Sequence, residues 1–137
     1  MKLLMLITAD HASIEQPTGK LNILGAFRNI LAANFPAKHR AMSVVIKIGG
    51  ELGDNQEEHT LGIGIADEDG NNLFQVEGPF SLPHVPAGIQ PEHNVVLELR
   101  DFVFPHPGIY QINVSVDNEW KESTDIVLTQ LQTPQQE

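Results

Sequence analysis

Apolar and polar residues alternate along most of the chain, which is typical of half-buried β-strands. The clearest example is 110–117, where Tyr110, Ile112 and Val114 are separated by polar side chains. The same period of two predicts eight strands, near residues 2–9, 20–28, 41–49, 59–67, 72–78, 93–103, 108–117 and 121–130. Turn sequences rich in Asp, Asn, Gly and Pro separate them, and no window has the apolar period of a helix. The pattern predicts an all-β, two-layer immunoglobulin-like β-sandwich of about seven to eight antiparallel strands.

The length of 137 residues is that of one domain, and the 41% of hydrophobic residues can form one core. We expect a single sandwich domain over residues 1–131 and a flexible tail over 132–137, which is rich in Gln. The apolar run at residues 3–7 is too short for a secretion signal, so we interpret it as the first strand.

Charge excludes two classes of partner. The chain has 8 Lys and Arg residues against 18 Asp and Glu residues, a formal net charge of −10. Nucleic acids and anionic membranes attract basic surfaces, so neither is an expected partner. The sequence has no cysteine, which rules out disulfides and thiolate chemistry and agrees with a cytoplasmic location.

No sequence motif indicates catalysis. Asp10, His11 and Ser13 have the composition of a hydrolase triad. In a triad the histidine must lie between the other two side chains, which neighbours on one short loop rarely allow. The Asp67–Asn71 segment resembles the start of a calcium loop, yet it lacks the later bidentate Glu and is better interpreted as a turn. We therefore predict no enzyme activity, no catalytic residue, no metal ligand and no cofactor.

Acidic residues are expected to gather at one end of the sandwich. If successive strands are antiparallel, the connections 10–19, 50–58, 79–92 and 117–120 share an end, opposite to Asp67 and Asp69. The candidate site residues there are Asp10, His11, Glu15, Asp54, Asp117 and Glu119. They form either a solvated loop surface or a site for a divalent cation, a carbohydrate, another small ligand or a basic partner. Trp120 beside them is either a rim anchor or a cross-strand partner.

Several strands have apolar residues on both faces. Leu3, Met5 and Ile7 are predicted to face the core, which leaves Leu4 and Leu6 outside. Exposed apolar faces require a cover. Either the segment 30–35 folds back over them, or they form a self-association patch, for which the candidate residues are Leu4, Leu6, Leu24 and Val127.

Five segments carry a resemblance to a known family: 19–27 (GKLNILGAF), 35–37 (FPA), 82–83 (LP), 104–110 (FPHPGIY) and 116–119 (VDNE). Together they make the chain similar to a family of small uncharacterised bacterial proteins, a domain of unknown function. The resemblance implies an immunoglobulin-like sandwich and carries no activity, cofactor or catalytic residue.

These observations favour a non-catalytic module for protein–protein interaction or assembly, acting as a homo-oligomer or with an unknown protein partner. The alternative is a small-ligand, carbohydrate or cation-binding module that uses the acidic end of the sandwich.

Overall fold

The computed structural model describes residues 1–51, 54 and 57–132. Within them the chain forms nine strands: β1 (Lys2–Ile14), β2 (Leu21–Phe27), β3 (Asn29–Ala32), β4 (Ala37–Gly49), β5 (His59–Ala66), β6 (Asn72–Phe80), β7 (Glu92–Phe104), β8 (Gly108–Val116) and β9 (Glu119–Gln130). The predicted flexible tail, apart from residue 132, lies outside the described residues. No helix in the described part is long and apolar enough to cross a membrane.

The strands form two sheets that pack face to face. One sheet has the order β2-β1-β4-β7 and the other has the order β3-β9-β8-β5-β6. Buried side chains of both sheets, among them Met42 and Ile46 of β4 and Tyr110 and Ile112 of β8, form one core. The predicted all-β, two-layer architecture is therefore confirmed.

Strand β8 shows why the alternation was a sound guide. Tyr110, Ile112 and Val114 are fully buried, while Gln111 between them is exposed. The β8–β9 hairpin turns through Asp117 and Asn118, whose φ values of 52° and 66° match the two left-handed positions of a type I′ turn. Asp and Asn tolerate this conformation better than most residues, so the local sequence sets the hairpin register.

Strand β3 was not predicted. Residues 29–32 were expected to be part of a connection, but they pair in parallel with β9, with Asn29 opposite Val127. Ile30 joins the core, and this short edge strand makes the second sheet mixed rather than wholly antiparallel. Its three consecutive apolar residues, Ile30, Leu31 and Ala32, show no alternation from which a strand could be recognised.

A β-bulge in β1 changes which side chains face the core. The register with β4 shifts between Leu3 and Met5, so Leu6 lies opposite Ile46 and packs against the core. The prediction that Leu6 faces outward is therefore wrong. An extra residue in one strand inverts the inward and outward alternation of every residue after it, and the sequence contains no pattern that predicts this bulge.

The outer face of the first sheet is covered by the β1–β2 hairpin. Strand β1 pairs with β4 only as far as Ala9, and beyond that point it pairs with β2 alone. The hairpin turn lies over the sheet, where Asn94 Nδ2 donates a hydrogen bond of 3.0 Å to the Gly19 carbonyl. Ser43 and Val45, on the outer face of β4, are buried. The cover is thus this hairpin, and the predicted cover at 30–35 is wrong because residues 30–32 extend the other sheet as part of β3.

Candidate functional site

The sandwich is open along the seam between β6 and β7, which are edge strands of different sheets. A cleft of about 410 Å³ lies there, which we call the seam cleft. It is lined by residues 76–80 of β6, residues 93–97 of β7 and, at its floor, Leu61 and Ile63 of β5. Most of these side chains are apolar, and the volume lies within the range of about 300–1,000 Å³ that is common for ligand pockets.

Two aromatic contacts across the seam close the ends of the cleft. At one end Phe80 stacks on His93, with ring centroids 5.1 Å apart. At the other end Phe74 meets Phe102 edge-on at 6.3 Å. Strands β6 and β7 are therefore in contact at both ends of the cleft, and the gap between the two contacts is part of the folded structure.

Gly78 leaves the gap between these contacts. Core-facing positions of β6 alternate as Phe74, Val76, Gly78 and Phe80, and Gly78 lies opposite Leu61 of β5. A Cβ atom added at Gly78 would meet no atom within 4 Å. The position that would fill the seam thus has no side chain, and Val76 next to it remains 39% exposed.

Apart from Glu77, the residues that line the seam cleft are uncharged at neutral pH. Burial lowers the pKa of His93 below its ordinary value of 6.5, so this ring is neutral at neutral pH. Glu77 is the one acidic residue among the lining residues, and it is exposed. An apolar group with a cationic neighbour at the mouth fits this arrangement.

A second, more open cleft continues the first. Its volume is about 480 Å³, and it shares His93 and Asn94 with the seam cleft. The opposite wall consists of Ile14 and Gly19 from the β1–β2 hairpin and residues 81–83 after β6. The two clefts form one groove along the first half of β7.

Two of the predicted acidic-end residues meet at a buried histidine. His59 Nδ1 lies 2.7 Å from Asp117 Oδ2, and Nε2 lies 2.7 Å from the main-chain oxygen of Asp54. Both partners are acceptors, which favours the doubly protonated ring. Burial alone lowers the pKa of His59, but the Asp54 carbonyl and the Asp117 carboxylate raise it more, and the net direction is upward. The Asp54 carboxylate itself accepts from the Glu51 amide at 2.7 Å and lies 3.5 Å from the N-terminal amine.

The other predicted members of that group lie elsewhere. Asp10 and His11 are part of the paired region of β1, and His11 lies opposite Leu24 of β2. Glu15 caps the hairpin turn, where its carboxylate accepts from the Thr18 hydroxyl at 3.2 Å. Glu119 lies opposite Val116 in the β8–β9 hairpin. The described residues contain no group of three or more His, Cys, Asp or Glu side chains that could hold a metal ion.

Asp67 uses its carboxylate to build its own turn. Oδ1 accepts from the amides of Asp69 at 3.0 Å and Asn71 at 2.9 Å, and Oδ2 accepts from Asn71 Nδ2 at 3.0 Å. These bonds lower the pKa of Asp67, with the Asn71 side chain as the largest cause. The structure agrees with the interpretation of this segment as a turn, at the opposite end of β5 from Asp117.

The four predicted self-association residues do not share one face. Leu6 faces the core, and Leu4 lies against Gly49 beside the β1 bulge. Leu24 is 65% exposed on β2, whereas Val127 lies on the other sheet. Self-association therefore stays a prediction without a defined surface. Trp120, opposite Ser115, is 67% exposed.

Sequence reasoning missed the seam cleft. The predicted strand near 72–78 ends at Gly78, whereas β6 continues through Pro79 to Phe80. A strand that continues through Gly to an apolar residue such as Phe80 indicates instead a missing side chain on the core face. The partner wall on β7 could not be found this way, because its position depends on the sheet order.

Comparison with known proteins gives a family and a fold. Residues 4–129 match a family of unknown function, DUF6941. No curated protein matches the chain in sequence. Among solved structures, the alkylpurine DNA glycosylase AlkC of Pseudomonas fluorescens, bound to DNA containing an abasic site analog, has a TM-score of 0.52 and 13% sequence identity. The match covers 93% of this chain but only 30% of that one, so it shows a shared fold for a part of the glycosylase.

Proposed function

The chain belongs to DUF6941, and we propose that it is a non-catalytic binding module that holds a segment of a partner protein in the seam cleft. The observation that carries this proposal is the absent side chain at Gly78. A side chain there would have room and would bury apolar surface, so its absence leaves an opening that a partner can fill.

The rigidity of the cleft supports the same role. Both walls are strands, tied across the seam by Phe80–His93 and Phe74–Phe102, so the opening is preformed. A preformed apolar site loses less entropy on binding than a loop that must first become ordered.

The alternative role at the acidic end of the sandwich has less support. The Asp117 carboxylate is bonded to His59, and the Asp54 carboxylate accepts from the Glu51 amide. A cation or carbohydrate there would have to compete with these bonds.

An immunoglobulin-like relationship and a cytoplasmic, bacterial setting are part of the proposal. The two facing sheets support the first, and the absence of cysteine agrees with a reducing compartment.

A display experiment tests the role of the cleft. A library of random decapeptides is selected on the full chain, and the enriched peptides are then measured against Gly78→Val and Gly64→Val. Gly64 is the matched control, because it is a strand glycine whose added Cβ would make only an ordinary contact of 3.6 Å, with the Phe74 carbonyl. We expect Gly78→Val to weaken binding at least about tenfold and Gly64→Val to leave it unchanged. Absence of enriched peptides, or equal binding to both variants, would refute the proposal.

A further inference from the structure

We infer that the partner segment binds as an added β-strand along the free edge of β7 at residues 93–97, and that it carries a lysine or arginine. This inference rests on the proposed function and specifies the mode of binding and the chemistry of the partner.

The shape of the lining points to a strand. Residues 93–97 of β7 and 76–80 of β6 are consecutive, although side chains alternate between the two faces of a strand. A cavity that touches five consecutive residues must run along the edge of the strand, where the main-chain N–H and C=O groups are. Both strands are terminal in their sheets, so neither edge has a partner strand in the described part of the chain.

The two edges differ in how well they can pair. Strand β6 contains Pro79 within the cleft wall, and proline lacks the N–H that a ladder requires. Strand β7 has no proline. Its residues 93–97 carry no charge at neutral pH, but Glu92 precedes them and Glu98 follows. Charged residues on edge strands commonly prevent pairing with another chain. The uncharged residues 93–97 of β7 are therefore the stretch available to an added strand.

Charge complementarity sets the chemistry of the segment. Three acidic residues lie on or beside the groove: Glu77 lines the seam cleft, Glu92 lines the second cleft, and Glu98 follows the uncharged stretch of β7. Two are partly balanced, because Lys47 lies 3.3 Å from Glu92 and Arg100 lies 2.8 Å from Glu98. The chain as a whole carries a formal charge of −10. A cationic segment is therefore steered toward this groove, and an acidic one is repelled.

The pairing is tested with a peptide enriched in the display experiment. Methylating two alternate backbone nitrogens on the edge that faces β7 removes two hydrogen bonds, which should weaken binding at least about tenfold. Methylating the intervening nitrogens, which face away, should change affinity by less than about twofold. On binding, amide exchange should slow at every second residue between 93 and 97. Equal effects of both methylation patterns, or protection on β6 alone, would overturn strand addition.

The charge preference is tested separately. Replacing the peptide's basic residue by glutamate should weaken binding, and Glu77→Gln should weaken binding of the basic peptide about two- to fivefold. Equal affinity for the acidic and basic peptides would overturn the cationic partner. If Gly78→Val still blocks binding in either case, the binding module stands and only its mode is wrong. If Gly78→Val binds normally, the proposed function itself fails.

Discussion

Filling the seam cleft from within should stabilise the protein. Gly78→Val adds a β-branched side chain at a strand position whose φ lies outside the left-handed region, and its Cβ would contact nothing within 4 Å. Removing a strand glycine contributes roughly 0.5–1 kcal/mol. Full burial of valine contributes roughly 1.5–3 kcal/mol, and because the cleft is open at its mouth we expect about half of that, ~1 kcal/mol. The free energy of unfolding should therefore rise by about 1–2 kcal/mol.

The assay is thermal and denaturant unfolding of three proteins. At this chain length ~1 kcal/mol shifts Tm by roughly 3–5 °C, so Gly78→Val should raise Tm by about 3–10 °C. The Gly64→Val control faces the outside of the second sheet and should gain only the backbone contribution, about 0.5–1 kcal/mol. The excess of Gly78→Val over the control measures how much of the cleft is filled. A lower Tm for Gly78→Val than for the wild type would show that the seam has no room, and would remove the basis of the cleft argument.

Other predictions concern stability away from the cleft. The Asp54 and Asp117 partners raise the pKa of His59 by more than burial lowers it. Protonated His59 therefore contributes stability that is fully present below its unfolded-state pKa of about 6.5, and this stability is lost as pH rises through the folded-state pKa. The Tm difference between wild type and His59→Gln should thus shrink from about pH 5.5 to about pH 8.5, and a constant difference would contradict the buried charged ring. Asn118→Ala should lower the free energy of unfolding by more than about 0.4–1 kcal/mol in urea unfolding, because alanine is strained at a φ of 66°. Asn118→Gly should be better tolerated than Asn118→Ala, since glycine adopts this φ without strain. Tyr110→Phe should cost about 1–3 kcal/mol, because the buried Tyr110 hydroxyl donates to the His106 carbonyl at 2.6 Å and accepts from its amide; an unchanged denaturation midpoint would show that these bonds are replaced by water.

Local sequence patterns predicted the strands, whereas the face that β1 turns to the core and the position of the cleft depend on pairing between distant parts of the chain. The alternation in β8 and the turn at Asp117 and Asn118 depend on neighbours in the chain, so both could be inferred from the sequence. The bulge after Leu3 inverted the inward face of β1, and only the register with β4 shows it. The seam cleft was hidden for the same reason, since Gly78 and Val95 line one cleft only because the two sheets pack with the edge strands β6 and β7 on the same side.

Strand β4 is buried on both of its faces, which explains how an open seam is compatible with a stable fold. Val44 and Ile46 are buried in the core, and Ser43 and Val45 are buried on the opposite face. Strand β4 pairs with β7 along its whole length, from Gly49 opposite Glu92 to Ala37 opposite Phe104. The inner edge of β7 is thus fixed to the most buried strand of its sheet, while its outer edge stays open. A strand held on one side in this way can accept a partner on the other without rearrangement, which is the condition that strand addition requires.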